Sequence, residues 1–295
     1  MTTLLLDAVH RYTQSHADAT GIAETPVPGL HLVQATTPTG LEHTVVKPLV
    51  CLVLQGAKRV SIAGQDHTYK SDDSMIVATN APTVSRISEA SIARPYLAVA
   101  LELEPAVIAD LNTAIATTGG PAERSGNHTD TDLRDAVLRL VKLLDRPGDL
   151  AVLQPQLVRE IHYWLLQGRH GRAIGELGLP DSQVRRIGRA ISLLRQCYAD
   201  PVSIERLASE AGMGRSAFHK HFRTVTSVTP LQFQKQLRLI EARRQMLEHG
   251  KSASRAAFDV GYQSVSQFSR EYARLFGLPP VAARKAVRRE AAIRD

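Results

Sequence analysis

Between residues 30 and 104 the chain alternates short apolar runs with turn signals. The runs 49–54, 60–62, 75–78 and 96–103 are separated by Gln55-Gly56, Gly64-Gln65-Asp66 and Asn80-Ala81-Pro82. Runs of this length between such punctuation read as strands, so this region predicts a mostly antiparallel sheet or small barrel, with Gly64-Gln65 as a tight hairpin connection. Residues 118–131, rich in Gly, Ser, Thr and Asn, read as a loop. Beyond it the period becomes helical. Leu133, Val137, Leu140 and Leu144 fall on one face before Pro147-Gly148, and a second helix near Pro155 carries Leu157, Ile161 and Leu165 toward Gly168. The first of these stripes is the candidate for a helix-helix dimer seam, with intrachain packing as the alternative.

The last third of the chain repeats itself. Leu207-Ala-Ser-Glu-Ala-Gly212 aligns with Ala256-Ala-Phe-Asp-Val-Gly261, and Phe218-His-Lys-His-Phe222 with Phe268-Ser-Arg-Glu-Tyr272. The offset is 49 residues before the turn and 50 after it, so one copy has a turn longer by one residue. Each repeated residue has a task in a helix-turn-helix. Ala208 and Ala257 let two helix backbones approach, and Gly212 and Gly261 supply a turn in which a side chain is disfavoured. The aromatic pairs at i and i+4 hold the second helix to its core.

The opposite faces of those second helices are polar: Arg215, Ser216, His219, Lys220 and Arg223 in the first copy, Ser264, Ser266, Gln267 and Arg270 in the second. Such a helix fits the DNA major groove, where Arg grips guanine, Gln pairs with adenine, and Ser or Lys takes bases or phosphates. Residues 230–249, free of internal Gly and Pro, predict one long helix between the copies, capped near Thr229 and ended by Gly250. At about 30 Å it approaches one turn of B-DNA and would present the two reading helices to successive major grooves.

Charge agrees with that placement. Residues 1–180 hold 15 Lys and Arg against 19 Asp and Glu, a net of −4, whereas residues 181–295 hold 21 against 10, a net of +11. A polyanion partner is therefore expected at the rear of the chain. With 43% hydrophobic and 22% charged residues in 295, the chain reads as globular, with about two domains. The start, Met1-Thr-Thr-Leu-Leu-Leu-Asp7, is a poor signal peptide, and no apolar run approaches 18 residues, so a cytoplasmic protein without a membrane partner is expected. Cys51 and Cys197 read as isolated small side chains.

The stretch from about Ser203 to Arg289 resembles the C-terminal domain of the AraC/XylS family of transcription regulators, most closely in Gly261-Tyr-Gln-Ser-Val-Ser-Gln-Phe268, Arg270, Phe276-Gly277 and Pro280. The resemblance implies seven helices, two helix-turn-helix units joined by a long helix, and regulation at promoters, with the first base-contacting helix at 214–223. The chain departs from that family pattern at Gly214, where a Ser or Thr cap is common, and at Ser227, where Gly is usual. Pro26-Val-Pro-Gly-Leu30, the segment 48–56 and Arg94-Pro-Tyr-Leu97 resemble the cupin-like N-terminal domain of one subgroup, which implies an effector-sensing or dimerising barrel.

The expected architecture is therefore α+β. A cupin-like β-barrel with trailing helices covers 1–180 as a regulatory or dimerisation domain, and an all-α double helix-turn-helix DNA-binding domain covers 185–295. The expected function is a sequence-specific DNA-binding transcription regulator controlled by a small-molecule effector. Its partners would be double-stranded promoter DNA, RNA polymerase, the effector and a second copy in a homodimer. Two other classes stay open: a cupin-type metal-dependent enzyme with a basic helical domain, and an effector-independent nucleic-acid-binding protein. Against the enzyme stand the wide spacing of His31, His43 and His67, with no His-x-His pair, and the lack of a phosphate loop, nucleophile elbow or Cys-x-x-Cys. No catalytic residue, metal ligand or cofactor is expected, and Asp72-Asp73 reads as a solvated turn.

Overall fold

The computed structural model describes residues 2–62, 65–118 and 126–283. It divides into two compact units, residues 1–42 with 46–185, and residues 43–45 with 186–295. The first opens with a helix, α1 (Thr2–His16), followed by nine strands among the described residues: β1 (Ile22–Glu24), β2 (Leu30–Ala35), β3 (Glu42–Val46), β4 (Leu49–Gln55), β5 (Ala57–Ile62), β6 (Gln65–Lys70), β7 (Ser74–Val77), β8 (Ala81–Glu89) and β9 (Tyr96–Glu102). Four helices complete it: α2 (Pro105–Thr117), α3 (Gly126–Leu143), α4 (Pro147–Gln167) and α5 (Gly171–Gly178).

The strands do not close into the cupin-like barrel expected from the sequence. They form two separate sheets, one in the order β1-β2-β9-β4-β7 and one in the order β3-β8-β5-β6. The reason is visible in the alternation along β4 and β9. Val50, Leu52, Leu54, Leu97, Val99 and Leu101 face a core shared with the helices, while Cys51, Val53, Tyr96 and Ala98 face Val60 and Ile87 of the other sheet. A sheet buried on both faces reads as a continuous apolar run and needs no closure to hide its surface. The chain crosses between the sheets at Gly56, just after a register shift between Val53 and Gln55. Gly56 has φ +79°, and a Cβ there would lie 2.4 Å from the Glu89 carbonyl oxygen. The side chains of Cys51, Val53, Tyr96 and Ala98, with Val60 and Ile87, form the buried core between the two sheets.

The hairpin joining β5 and β6 is paired up to Ile62 opposite Gln65. Its expected tight connection at Gly64 lies outside the described residues. Three helical readings are corrected. Helix α3 starts at Gly126, inside the segment read as a loop, and residues 119–125 of that loop lie outside the described residues. Helix α4 starts at Pro147, where the ring occupies a position whose N–H would have had no partner, so this proline opens a helix that it seemed to break. Leu133, Val137, Leu140 and Leu144 are all buried in the core with α1 and α4, so that stripe is no dimer seam. Asp72 is not simply solvated either. Arg134 of α3 donates from Nη1 to its carboxylate and from Nη2 to its carbonyl, both at 2.7 Å.

The second unit is helical: α6 (Gln183–Gln196), α7 (Ile204–Glu210), α8 (Arg215–Thr226), α9 (Pro230–Leu247), α10 (Ala253–Asp259) and α11 (Val265–Phe276). The seventh helix implied by the resemblance is described only from 280 to 283. Helix α9 stops at Leu247, short of residue 249, and its 18 residues span about 27 Å. Its two halves serve different cores. Phe233 packs with Phe218 and Phe222, whereas Leu239, Ala242 and Met246 pack with Phe268 and Tyr272. No described helix is long and apolar enough to cross a membrane.

Candidate nucleic-acid interface

Ser203 caps α7 by accepting from the Arg206 amide, and Ser252 caps α10 by accepting from Arg255, 49 residues later. The turns after these helices are copies in their hydrogen bonds. Met213 N donates to Ala208 O and Tyr262 N to Ala257 O, each at 2.9 Å. Gly212 and Gly261 have φ of +61° and +88°, the left-handed backbone that the repeat anticipates. The second turn holds the extra residue, with three steps from Gly261 to Ser264 against two from Gly212 to Gly214. Ala208 and Ala257 are buried as small spacers.

Each second helix is anchored by its aromatic pair. The rings of Phe218 and Phe222 lie 5.4 Å apart, those of Phe268 and Tyr272 5.5 Å apart, and all four are fully buried. Each contributes on the order of 2–3 kcal/mol of apolar burial. The cap of α8 is the backbone of Gly214, whose carbonyl accepts from Phe218 N at 2.9 Å, without a side-chain bond. Between the two helix-turn-helix copies, Thr229 and Gln232 form a reciprocal capping box around Pro230, so α9 begins firmly.

Arg215, Ser216, His219, Lys220 and Arg223 are all exposed along α8. Arg215 Nη1 lies 3.0 Å from Glu205 Oε1 across the turn, while Lys220 and Arg223 form no ion pair among the described residues. In the second unit Ser264, Ser266, Gln267 and Arg270 are also exposed. Two of these are engaged. The Ser264 hydroxyl caps α11 by accepting from Gln267 N at 3.3 Å, and Gln267 Nε2 donates to Glu271 at 3.2 Å. Glu271 also accepts from Lys235 Nζ at 2.8 Å and from the Tyr262 hydroxyl at 2.7 Å. Burial pushes its carboxyl up, but these three donors outweigh burial and hold it below the usual carboxylate range. Base reading by Gln267 would require it to leave this carboxylate.

Sequence reasoning missed the arginines behind the turns. Arg186 of α6 donates to the Ala211 and Gly212 carbonyls, and Arg189 donates to the Glu210 carbonyl at 3.0 Å. In the second unit Arg238 of α9 donates to the Gly261 carbonyl at 3.1 Å. Cations at these positions satisfy the last carbonyls of the preceding helix and oppose its negative end. A signal for them was present. Arg186, Ile187, Ala190 and Leu194 align with Arg238, Leu239, Ala242 and Met246 at an offset of 52, so the duplication covers three helices per unit.

Among the described residues, no group of three or more His, Cys, Asp or Glu side chains is placed to hold a metal ion. His31 lies beside Glu24, with Nδ1 3.2 Å from its carboxylate, and His67 stands in β6 opposite Val60. Both cysteines are free, Cys51 buried and Cys197 half-buried.

Residues 26–173 match the family described as AraC-type transcriptional regulator N-terminus, and residues 207–286 match a helix-turn-helix domain family. Similar curated proteins include the virulence regulon transcriptional activator VirF of Yersinia enterocolitica, 26% identical over 157 residues, 52% of this chain and 56% of that protein. The RCS-specific HTH-type transcriptional activator RclR of Escherichia coli K12 is 34% identical over 103 residues, 35% of this chain and 36% of that protein. The chain thus spans from about a third to just over half the length of these relatives. The crystal structure of unsaturated fatty acid bound wild-type ToxT from Vibrio cholerae shares the fold over 85% of this chain and 92% of its own, with a TM-score of 0.52 and 10% identity.

Proposed function

Because this chain belongs to the AraC-type transcriptional regulators, we propose that it recognises one promoter sequence with both reading helices and does so under the control of a small-molecule effector. Binding to DNA follows from the helix-turn-helix domain. The observation that carries the finer reading is the duplicated turn, which leaves Arg215, Ser216, His219, Lys220 and Arg223 exposed on one helix and Ser266, Gln267 and Arg270 on its counterpart. Arg215 is assigned to a guanine edge, Lys220 and Arg223 to bases or phosphates, and Gln267 to an adenine. Ser264 acts through its cap, which sets the start of α11.

The first unit is the receiver of the signal. It has cores of its own, separate from those of the helical unit, and an effector acts by binding more tightly to one arrangement of the whole protein than to another. A homodimer would join two sets of half-site contacts, and contact with RNA polymerase would follow at promoters that are activated. The cytoplasm is the compartment this reading requires.

Footprinting and competition titration of the full-length protein at fixed salt test the DNA reading. Arg215→Ala is expected to cost about 1–3 kcal/mol on the selected site and much less on random duplex. An equal loss on both duplexes would remove base reading by Arg215.

A further inference from the structure

Arg186 and Arg238 occupy corresponding places, yet they do not make the same contacts. Arg186 grips carbonyls of its own helix-turn-helix copy, Ala211 and Gly212. Arg238 reaches in two directions. Its Nη1 takes Gly261 O in the turn of the second unit, while Nε takes Tyr198 O at 2.6 Å and Nη2 takes Ala199 O at 3.1 Å and Asp200 O at 3.2 Å. Those last three carbonyls belong to the segment between α6 and α7, within the first helix-turn-helix copy. Gln234, one turn earlier on α9 and buried, donates to Tyr198 O and Asp200 O as well. From the other side, Gly261 is seated so closely that a Cβ on it would lie 2.0 Å from Ala199 O. Three segments therefore meet at one guanidinium: the linking helix, the entry to the first reading head and the turn of the second.

A planar fork with five fixed donors defines the angle between the groups it bonds, which the compact head of a lysine does not. Helix α9 alone leaves freedom, because each half belongs to a different core and a helix of about 27 Å can bend. We infer that Arg238 determines the spacing specificity of this regulator, by locking the two reading helices at one separation and rotation so that only one distance between the two contacted base clusters is accepted. The inference rests on the proposed reading in which both helices contact DNA. Arg238 is a positioning residue here, since its donors are spent on backbone carbonyls.

The probe is the duplex that full-length protein selects from random DNA, together with derivatives carrying one base pair inserted or removed between the two protected clusters. One base pair changes the separation by about 3.4 Å and also rotates one cluster against the other. Wild-type protein is expected to bind both derivatives about tenfold more weakly than the selected site. Arg238→Ala and Arg238→Lys, confirmed folded by circular dichroism, are expected to reduce that ratio to about two- to threefold. Gln234→Met removes two bonds to the same segment and gives an intermediate ratio; it also decides the matter should Arg238→Ala not fold. Arg186→Ala supplies the contrast. It loosens one turn and lowers affinity for every duplex with the ratio unchanged, which is what a purely stabilising role for Arg238 would also produce. Two protected clusters with an unaltered ratio in the folded Arg238 and Gln234 variants would overturn the inference alone. Wild-type protection of a single cluster would overturn the two-helix reading beneath it.

Discussion

Ser227 and Gly277 occupy the same left-handed corner fifty residues apart, with φ of +63° and +75° at the ends of the two reading helices. Each amide closes its helix, Ser227 N donating to Arg223 O at 2.8 Å and Gly277 N to Ala273 O at 2.9 Å. The corner is identical, and one copy fills it with a residue whose Cβ opposes that conformation. Ser227→Gly is therefore expected to stabilise the protein by about 1 kcal/mol, and Gly277→Ser to destabilise it by about as much. Urea unfolding of both variants measures this. Ser227 stands at the exposed far end of α8, so DNA affinity stays unchanged. A Ser227→Gly protein no more stable than wild type would refute the argument from strain.

The ion pair between Arg215 and Glu205 sets up a competition. Both groups are more than 60% exposed, so the pair adds little to stability. Its effect falls on DNA, because Glu205 engages the arginine that is to meet a base and adds negative charge near the phosphates. Glu205→Gln is expected to leave the unfolding midpoint where it is and to tighten DNA binding about three- to tenfold at low salt, with the gain shrinking as salt rises. Titrations at two ionic strengths check both parts, and a gain independent of salt would contradict the electrostatic account.

The helical unit was legible in the sequence because its constraints are local and occur twice. A glycine with positive φ, an alanine at a helix crossing and an aromatic pair one turn apart each leave a mark at a fixed offset, as Gly212 and Gly261 or Phe218 and Phe268 do. The offset of 52 that relates Arg186 to Arg238 was equally present, but no glycine or proline recurs at that offset to register the alignment, since Gly188 of α6 falls opposite Ile240 of α9. In the first unit the strands were visible and their closure was not. The runs 49–54 and 96–103 report burial on both faces, and a barrel, or a sheet layered between a second sheet and helices, gives that same pattern. Nothing local distinguishes them. The choice rests on which strands pair at long range, and on the switch of sheet at Gly56. The same blindness affected the stripe at Leu133, since periodicity gives the face of a helix without saying what covers it. Pro147 misled for a different reason, because proline ends some helices and begins others.

The Arg134 fork on Asp72 is expected to hold the turn between β6 and β7. Asp72 has φ +73°, an unfavourable backbone for a residue other than glycine, and both its carboxylate and its carbonyl are taken by one arginine that is largely shielded from water. Arg134→Ala removes two charge-assisted bonds, at an expected cost of about 1–3 kcal/mol. Asp72→Asn retains the carbonyl bond and a side chain suited to this backbone, and should cost less. Equal losses in urea unfolding would show that the charge on Asp72, and not the pinned backbone, carries the interaction.

His162 makes the stability of the first unit depend on mild acid. Its ring is fully buried in α4, with Nδ1 2.8 Å from Val158 O and Nε2 accepting from the Glu104 amide at 2.9 Å, just before α2. One nitrogen donates and the other accepts, which is the neutral imidazole. Burial holds its pKa below 6.5, against smaller upward contributions from the Val158 carbonyl and Glu104. In the unfolded chain the same ring titrates near 6.5. At pH above that value both states are neutral and the full stability is present. As pH falls below it, the unfolded chain takes up a proton that the folded protein refuses, so stability declines toward the depressed folded pKa. Protonation inside the fold would also turn the acceptor at Glu104 into a second donor facing an amide. Urea unfolding of wild type is therefore expected to weaken between pH 6.5 and 5, and His162→Gln to show a smaller decline over that window, although it starts from lower stability. The part that remains includes His170, whose pKa burial also lowers. An unchanged slope in His162→Gln would place the acid sensitivity elsewhere.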